Sequence, residues 1–408
     1  MALSPASVLA HLPTTQGCAV VRDGDSTLIG VAPDAVVAAR HDTAFAALDA
    51  AARGGFWTGY LAYDLGRAVE RIPERATDDL EVPDVVLARY DARLVLTPEG
   101  DVEIVGDGPT ADVLAQAAWR AQRDTAVAWS PRVHRWDSSL DRDQYEAAVA
   151  RVLDHLAAGD CYQVNLTRRL RTSGAADPIE LFAALARSNP APHAMLCTFG
   201  TAGPDVAIVS ASPELFLRVD GRRVTTRPIK GTDRDAVRLA ASAKDHAENV
   251  MIVDLSRNDL GRVCRYGSIT VPELCAVEAH PGLYHLVSTV CGELRRDVGF
   301  ADLVRATFPP ASITGAPKPR VMEIIEDLEP VRRGVYCGAV GWIDGDAGRA
   351  ELAVAIRTFV IARGQTFLGV GGGIVADSSA DREWAETELK AARLLEAASG
   401  ASAEAGHR

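Results

Sequence analysis

The sequence has no excess of positive charge. Its 43 lysines and arginines are outnumbered by 55 aspartates and glutamates, so the formal net charge is −12 and the isoelectric point is about 5.3. Proteins that bind nucleic acid need clustered cations to neutralise phosphates. The charge balance therefore argues against a nucleic-acid partner and favours a small-molecule ligand.

Paired cysteines and export signals are also lacking. No C-x-x-C pair occurs, and the N-terminus has no basic segment. The longest uncharged stretches, such as 188–204, are interrupted by proline and glycine. We therefore expect no membrane segment, a cytoplasmic location, and reduced, mostly buried thiols. The cysteines are Cys18, Cys161, Cys197, Cys264, Cys275, Cys291 and Cys337.

The chain has enough apolar residues for a large core. At 408 residues and 48% apolar content, it is long enough for two or three domains or one elaborate fold. Short apolar runs separated by turns fill the first part, including an expected hairpin at 98–100. The pattern breaks near 129–141. We place a boundary near residue 135, a second domain at 136–398 and a disordered tail at 399–408.

Strand patterns dominate the second part. Several apolar runs are joined by turns too short for crossover helices, so mostly antiparallel pairing is expected. Helical periodicity fits 145–159, 236–260, 301–307, 317–328 and 380–397. The fold class is therefore α+β with helices outside sheet. The expected strands are CYQVNLTRRL, AMLCTF, VAIVSA, ELFLRV, YHLVSTVCGEL, YCGAVGWI, ELAVAIRTFVI and TFLGVGGGIVA.

Two acidic helices offer oxygen ligands. Asp245 and Glu248 share one face of a predicted helix. Glu383, Glu386 and Lys390 share a face of another. A Mg²⁺ ion typically takes one or two protein carboxylates, with waters and an anionic substrate group. A pair of solvated amphipathic helices is the ordinary alternative, and acidic pairs alone favour it.

Four polar residues lie in or beside apolar strands. Lys230 precedes a tight turn, where it is a nucleophile only if burial or nearby cations lower its pKa; a solvated lysine is the ordinary alternative. Glu214 follows a proline and is either an acid in a cleft or a surface carboxylate. His285 fits a core histidine. Arg357 needs an anion if it is buried.

Gly371, Gly372 and Gly373 interrupt an apolar strand. Consecutive glycines mark either a β-bulge or the close approach of a ligand, whose carboxylate the backbone N–H groups can receive. The segment has neither the G-K-[ST] of a P-loop nor the G-x-G-x-x-G of a dinucleotide site. Both interpretations stay open at this point.

Ten ordered segments resemble the chorismate-utilising enzymes, a family that includes anthranilate, isochorismate and salicylate synthases. The similarity is strong over about 140–397. It implies two antiparallel β-sheets packed as a sandwich with helices outside, and an N-terminal region, 1–135, partly interleaved with a chorismate-binding catalytic domain. The segments are GDCYQVNLT, ASPELF, RPIKGT, AENVMIVDLSRNDLGRV, HLVSTVCGEL, FPPASITGAPK, YCGAVGW, IRTF, GGGIVADS and EWAETELK.

The resemblance implies a role for each candidate residue. Glu248 and Glu386 would hold Mg²⁺, which binds the ring carboxylate of chorismate. Asp245 and Glu383 would support the metal. His285 would lie near the ring, among the catalytic residues. The implied substrate ligands are Thr232, Gln163, Tyr336, Arg357, Lys390 and the N–H groups near Gly371 and Gly373.

Lys230 distinguishes between branches of the family. Enzymes that aminate C4 of chorismate resemble this chain in carrying P-I-K-G-T, whereas anthranilate and salicylate synthases usually carry alanine for the lysine. The implied mechanism is attack of neutral Lys230 on ring carbon C2, while Glu214 protonates the departing C4 hydroxyl; ammonia then enters at C4. Water-using branches place a lysine base where this chain has Gln163, so they are disfavoured. Anthranilate synthesis stays an alternative.

The source of ammonia is not visible in the sequence. None of the cysteines lies in a G-x-C-x-G turn, so the resemblance implies a separate glutamine amidotransferase subunit. No L-L-E-S-type segment indicates a tryptophan site. A non-catalytic chorismate-binding sensor is a hypothesis of a different class, and the presence of Glu214, Lys230, Glu248 and Glu386 argues against it.

Overall fold

The computed structural model describes residues 3–123, 135–280 and 283–399. Its α-helices are α1 (Pro5–Leu9), α2 (Asp42–Ala51), α3 (Pro109–Ala121), α4 (Arg142–Ala157), α5 (Pro178–Ser188), α6 (Ala236–Ala240), α7 (Ala243–Gly261), α8 (Phe300–Thr307), α9 (Lys318–Leu328) and α10 (Ala380–Ser399).

Its strands are β1 (Cys18–Asp23), β2 (Ser26–Val31), β3 (Ala35–Ala39), β4 (Phe56–Leu61), β5 (Val85–Tyr90), β6 (Ala92–Leu96), β7 (Val102–Gly106), β8 (Asp137–Ser138), β9 (Gln163–Arg171), β10 (His193–Thr198), β11 (Val206–Ser212), β12 (Leu215–Asp220), β13 (Arg223–Arg227), β14 (Ile229–Asp233), β15 (Thr270–His280), β16 (Leu283–Glu293), β17 (Gly315–Ala316), β18 (Ala339–Asp344), β19 (Arg349–Val354), β20 (Thr358–Ala362) and β21 (Gln365–Ile374).

The strands form two antiparallel sheets. Sheet 1 has the order β17-β9-β21-β20-β11-β10-β1-β2-β6-β7, with β8 beside β9. Sheet 2 has the order β14-β16-β13-β12-β19-β18-β4-β5-β3, with β15 beside β16. Both sheets contain strands from the first part of the chain, because β1 pairs with β10 and β4 pairs with β18. The expected α+β class and sandwich of antiparallel sheets are confirmed.

Alternating side chains build three apolar layers. On β11, Ile208 faces the cluster between the sheets and Val209 faces the cluster under α1, α3, α5 and α10. On β5, Val86 faces the cluster between the sheets and Leu87 faces the one under α2, α7, α8 and α9. The period of two along each strand therefore places sheet 1 against sheet 2 and the helices on the outer faces.

The chain changes sheets at two adjacent crossovers. Residues 213–214 connect β11 of sheet 1 to β12 of sheet 2, and 355–357 connect β19 of sheet 2 back to β20 of sheet 1. The crossovers are joined because Val354 N donates to Glu214 O and Ala211 N donates to Arg357 O, both at 3.0 Å. The prediction of one strand through ELAVAIRTFVI is wrong: Arg357 has a φ of 50° and breaks it.

Most predicted helices are confirmed as α4, α8, α9 and α10, and the hairpin at 98–100 joins β6 to β7. The single helix expected at 236–260 is wrong, because the structure has α6 and α7 there. Asp235 caps α6 and Ser242 caps α7, each accepting a hydrogen bond from the first turn. The YCGAVGWI strand begins only at Ala339, after Cys337 with its φ of 65°.

The expectations about the cysteines, membrane segments, domain boundary and tail have different outcomes. All seven cysteines are free thiols, and all but the partly buried Cys275 are buried, as predicted. No helix within the described ranges is both long and apolar enough to cross a membrane. The boundary near 135 stays a prediction. The tail predicted at 399–408 lies outside the described residues except for Ser399, the end of α10.

A buried ion pair connects three elements beneath the sheets. Arg333 donates to Glu329 and also to the carbonyl oxygens of Ile313 (2.9 Å) and Asn165 (2.6 Å). Glu329 also accepts from the backbone N of Thr167 on β9 at 2.8 Å. Both charged side chains are at most 5% exposed. The pair therefore fixes the end of α9 and the 311–313 turn against β9.

Removal of one partner should destabilise the fold strongly. Because Glu329→Ala leaves Arg333 buried without its carboxylate, we expect a loss of about 3–5 kcal/mol of unfolding free energy. The exposed pair Arg142–Glu146 provides the control, and Glu146→Ala should cost less than about 1 kcal/mol. Denaturant titration measures both. Equal losses in the two variants would contradict this view of the pair.

Candidate active site

Lys230 lies at a β-bulge in sheet 2. The pairing of β14 with β16 shifts register between Lys230 and Thr232, and Gly231 between them has a φ of 80°. A Cβ at Gly231 would lie 2.9 Å from the Cβ of Asp245 on α7, so only glycine fits. The bulge re-aims the lysine, and its Nζ donates to the carbonyl oxygen of Ser312 at 3.2 Å.

The surroundings of Lys230 favour its neutral form. Burial lowers the pKa of its ammonium group, and the positive charge of Lys390 lowers it further. Glu248 and Glu214 oppose this shift, but the net direction is downward. A lysine with a lowered pKa is a better nucleophile near neutral pH, because a larger fraction carries a free lone pair.

Glu214 lies in the first crossover and is 4% exposed. Burial raises the pKa of its carboxyl group to about 7, against the lowering effects of a hydrogen bond with Ser312 and the charge of Lys230. The backbone N of Ile229 lies 3.5 Å from its Oε1. The carboxyl group therefore retains a proton at much higher pH than an ordinary glutamate and can act as a general acid beside Lys230.

The glycines of β21 leave space beside Lys230. The strand pairs with β9 in one unbroken register through all three glycines, so the β-bulge interpretation is wrong. A Cβ at Gly373 would lie 3.0 Å from Nε2 of Gln163 and 3.5 Å from Nζ of Lys230. Glycine at this position therefore keeps open a space bordered by the lysine and the amide.

Gln163 is fully buried at the start of β9. Neither its Oε1 nor its Nε2 has a hydrogen-bond partner among the described residues. Buried amides normally have partners, and an unpaired one lies where a ligand supplies them. Gln163 therefore offers one acceptor and two donors to a bound molecule in the space beside Gly373.

The predicted acidic groups lie on α7 and α10. Glu383 is 5% exposed, and burial raises its pKa; its Oε1 accepts from Ser378, while its Oε2 is buried without a partner. A Cβ at Gly372 would lie 3.2 Å from that Oε2 and 3.5 Å from Oε1 of Glu386. Burial also raises the pKa of Glu248 on α7.

These carboxylates suit a hard cation such as Mg²⁺. An unpaired buried Oε2 on Glu383, beside Glu386, is the kind of oxygen donor that this ion prefers. However, no three acidic, histidine or cysteine side chains within the described ranges lie close enough to form a complete metal site by themselves. Waters and substrate oxygens would have to fill the remaining coordination positions.

Cations lie further along the glycine strand. Lys390 donates from Nζ to Gly371 O at 2.9 Å and pairs with Glu386 at 2.6 Å. The ring of Tyr336 packs against Gly369, where a Cβ would meet it at 2.2 Å. Arg357, in the second crossover, is partly buried, and the pKa of its guanidinium is lowered by burial. These groups can receive an anion.

His285 lies on β16 opposite the bulge and is 2% exposed. Its Nδ1 is 2.8 Å from Oγ1 of Thr232. Burial lowers its pKa to about 4, and the positive charges of Arg357 and His280 act in the same direction. The ring is therefore neutral at physiological pH, and its buried Nε2 has no partner within the described ranges.

The structure thus brings most of the predicted residues to one site. Lys230 interacts electrostatically with Glu214, Glu248, Glu386 and Lys390. Their individual roles remain predictions. Ser312, which contacts both Lys230 and Glu214, is not among the predicted residues. Its only signal was its position in FPPASITGAPK, where prolines and a glycine indicate an irregular turn.

Comparison with known proteins assigns the class. The sequence pattern of the chorismate binding enzymes matches residues 12–396. The chain belongs to this family.

Individual relatives point to particular reactions. The chain is 41% identical over 349 residues to aminodeoxychorismate synthase component 1 of Escherichia coli (strain K12), covering 83% of this chain and 75% of the relative. It is 36% identical over 375 residues to anthranilate synthase component 1 of Mycolicibacterium smegmatis, covering 84% and 71%.

Solved structures share the fold. Anthranilate synthase component I from Streptococcus pneumoniae TIGR4 has a TM-score of 0.81 at 26% identity, covering 91% of this chain and 92% of that one. The menaquinone-specific isochorismate synthase of Escherichia coli has a TM-score of 0.76 at 18% identity, covering 98% and 92%. The second likeness concerns the fold alone.

The raised pKa of Glu214 predicts a pH-dependent stability. Its pKa rises from 4.5 to about 7 on folding, so the native state binds more proton between these values and loses stability as pH rises through them. The unfolding free energy of Glu214→Gln, relative to that of the wild type, should therefore rise by up to about 3 kcal/mol between pH 5 and pH 8. Denaturant titrations measure this, with the exposed Glu396→Gln as control. A pH-independent difference would contradict the assignment.

Because glycine at position 373 keeps a space open, we expect a larger residue there to weaken ligand binding. Gly373→Ala places a methyl group 3.0 Å from Gln163 Nε2 and 3.5 Å from Lys230 Nζ, so it should weaken chorismate binding at least about 10-fold. Both neighbours are flexible side chains, so the unfolding midpoint should change little. Gly174→Ala, which meets no atom within 4 Å, is the control. Calorimetric titration with chorismate measures the difference, and unchanged binding would contradict it.

Proposed function

We propose that the chain is the chorismate-aminating component of an aminodeoxychorismate synthase. It converts chorismate and ammonia to 4-amino-4-deoxychorismate, the precursor of 4-aminobenzoate for folate synthesis. The observation that carries this proposal is the position of Lys230, a lysine of lowered pKa, beside the glycine-lined space and beside Glu214, whose pKa is raised to about 7. The 41% identity to a synthase of this name, against 36% to an anthranilate synthase, supports it.

The site is matched to a dianionic substrate. Chorismate carries two carboxylates, and Lys390, Arg357 and the N–H groups of the glycine strand provide positive electrostatic potential for them. Tyr336 borders the same strand at Gly369. Thr232 and His285 lie on the far side of the bulge, where a neutral histidine can donate or accept a hydrogen bond from the ring substituents.

Glu248 and Glu386 would hold Mg²⁺, with Asp245 and Glu383 supporting them. The ion, when bound, supplies Lewis-acid polarisation of the substrate's ring carboxylate. The unpaired Oε2 of Glu383 and its position beside Gly372 support this assignment. The protein's own contribution is to hold carboxylate oxygens on α7 and α10, facing the space beside β21.

Lys230 and Glu214 carry the bond changes. Neutral Lys230 attacks C2 of the ring, the two conjugated ring double bonds shift toward C4, and the C4 hydroxyl leaves as water with the proton of Glu214. Ammonia then forms the bond to C4 and the C2–Lys230 bond breaks, which restores both double bonds. The proton released by the incoming nitrogen returns to Glu214. Burial shifts the pKa values of both residues toward the uncharged forms that this mechanism requires.

Two further features favour ammonia over water as the second reactant. The position that carries a lysine base in the water-using branches is Gln163, whose amide cannot accept a proton from water. A partner subunit that hydrolyses glutamine would supply ammonia, as "component 1" in the names of the relatives suggests. A cytoplasmic location is consistent with small-molecule metabolism.

The test is incubation of the purified chain with chorismate, Mg²⁺ and excess ammonium salt at mildly alkaline pH. Mass analysis should show 4-amino-4-deoxychorismate, and an added aminodeoxychorismate lyase should convert it to 4-aminobenzoate. Fluorescent anthranilate formed without the lyase would move the assignment to the ortho-aminating branch. No consumption of chorismate would favour a non-catalytic sensor.

Lys230→Ala separates catalysis from binding. We expect turnover with ammonium to fall at least about 100-fold, because the nucleophile is lost. Mg²⁺-dependent chorismate binding should stay within a few-fold of the wild-type value, as calorimetry can measure. If turnover is unchanged, Lys230 is not the nucleophile, and this conclusion holds for either reaction product.

A further inference from the structure

Arg357 is a partly buried arginine in the second crossover. The crossover holds its backbone at a φ of 50°, and its carbonyl oxygen accepts from Ala211, but its guanidinium forms no hydrogen bond or ion pair among the described residues. Burial of a cation without an anion is unfavourable. Such a group is expected where a ligand supplies the anion.

A second unpaired arginine lies close to it. After burial, the largest influence on the pKa of Arg357 is the positive charge of Arg393, which acts more strongly than the negative charge of Glu214. Arg393 is exposed on α10 and likewise forms no ion pair within the described ranges. Two neighbouring guanidinium groups repel each other, and an anion between them would reverse that effect.

The packing of α10 places Arg393 at this level of sheet 1. Leu394, the next residue, belongs to the same apolar cluster as Val370 of β21 and Phe359 of β20. Glu386 lies beside Gly372 and Lys390 contacts Gly371, so α10 runs antiparallel to β21 and Arg393 lies further toward Gly369. Arg393 and Arg357 therefore reach the same end of the site from the helix and from the sheet.

Three charged residues follow one another along one face of α10, beside the site. Arg393 follows Glu386 by seven residues, which is about 20° short of two full turns, so the two residues share one face of the helix. Lys390 lies between them and contacts Gly371. The rise from Glu386 to Arg393 is roughly 10 Å. The helix thus presents a carboxylate at one end of the site, a lysine in the middle and an arginine at the other end.

We propose that Arg393 is a substrate-binding residue that, with Arg357, holds the enolpyruvyl carboxylate of chorismate. This inference rests on the proposed function. The ring carboxylate goes to the end of α10 that carries Glu386 and its cation, and the second carboxylate goes to the end that carries the two arginines. Arg393 makes no contact with the reacting carbons, so it acts on capture of the substrate and not on the bond changes.

The test is Arg393→Gln, measured by calorimetric titration with chorismate in Mg²⁺ and by steady-state kinetics with ammonium. We expect the chorismate Kd and KM to rise roughly 5- to 30-fold, with kcat within about twofold of the wild type. Arg382→Gln, an exposed arginine at the start of the same helix, is the matched control and should leave both constants unchanged. Circular dichroism confirms that each variant is folded.

The second measurement compares chorismate affinity in a charge-preserving variant and at different ionic strengths. Arg393→Lys should restore most of the affinity, because a lysine retains the charge while losing the bidentate geometry. The wild-type Kd should weaken with ionic strength more steeply than that of Arg393→Gln. Unchanged affinity in Arg393→Gln, or a fall in kcat alone, would overturn the inference. Absence of chorismate binding by the wild type would instead overturn the proposed function.

Discussion

The geometry of the site depends on the two crossovers and the hydrogen bonds between them. Val354 N donates to Glu214 O, and Ala211 N donates to Arg357 O, so each crossover is anchored by a strand of the other segment. The flanking strands are paired in both sheets. Neither crossover can shift without disturbing its neighbour, and the acid and the arginine are therefore held at a fixed separation by backbone alone.

Burial is the common cause of the chemical properties of the site. It lowers the pKa of Lys230, raises that of Glu214 and lowers that of His285, so all three shift toward the uncharged form. The same burial thus moves a lysine, a carboxylic acid and an imidazole in the direction of lower charge. Burial also lowers the pKa of the Arg357 guanidinium, which the positive charge of Arg393 lowers further.

Much of this arrangement follows from the sequence, and each exception has its own physical cause. Periodicity identifies α8, α9, α10 and most strands, because each buries one face. Periodicity cannot show that the apolar run around Arg357 is divided between β19 of sheet 2 and β20 of sheet 1. Buried strands of both sheets are apolar, so the two halves of the run look alike in the sequence. Periodicity also misses the Ser242 cap that separates α7 from α6. Ser312 was missed because it acts partly through its backbone carbonyl.

The crossovers and the bulge have a consequence for divergence among related enzymes. In a regular strand, a substituted side chain must fit the apolar layer into which it projects. Residues 214, 230 and 357 lie instead where the strand pattern is broken, so an exchange there changes chemistry with little demand on the core. The strands on either side of these positions can then keep their packing, and the fold itself recurs in a solved structure at 18% identity.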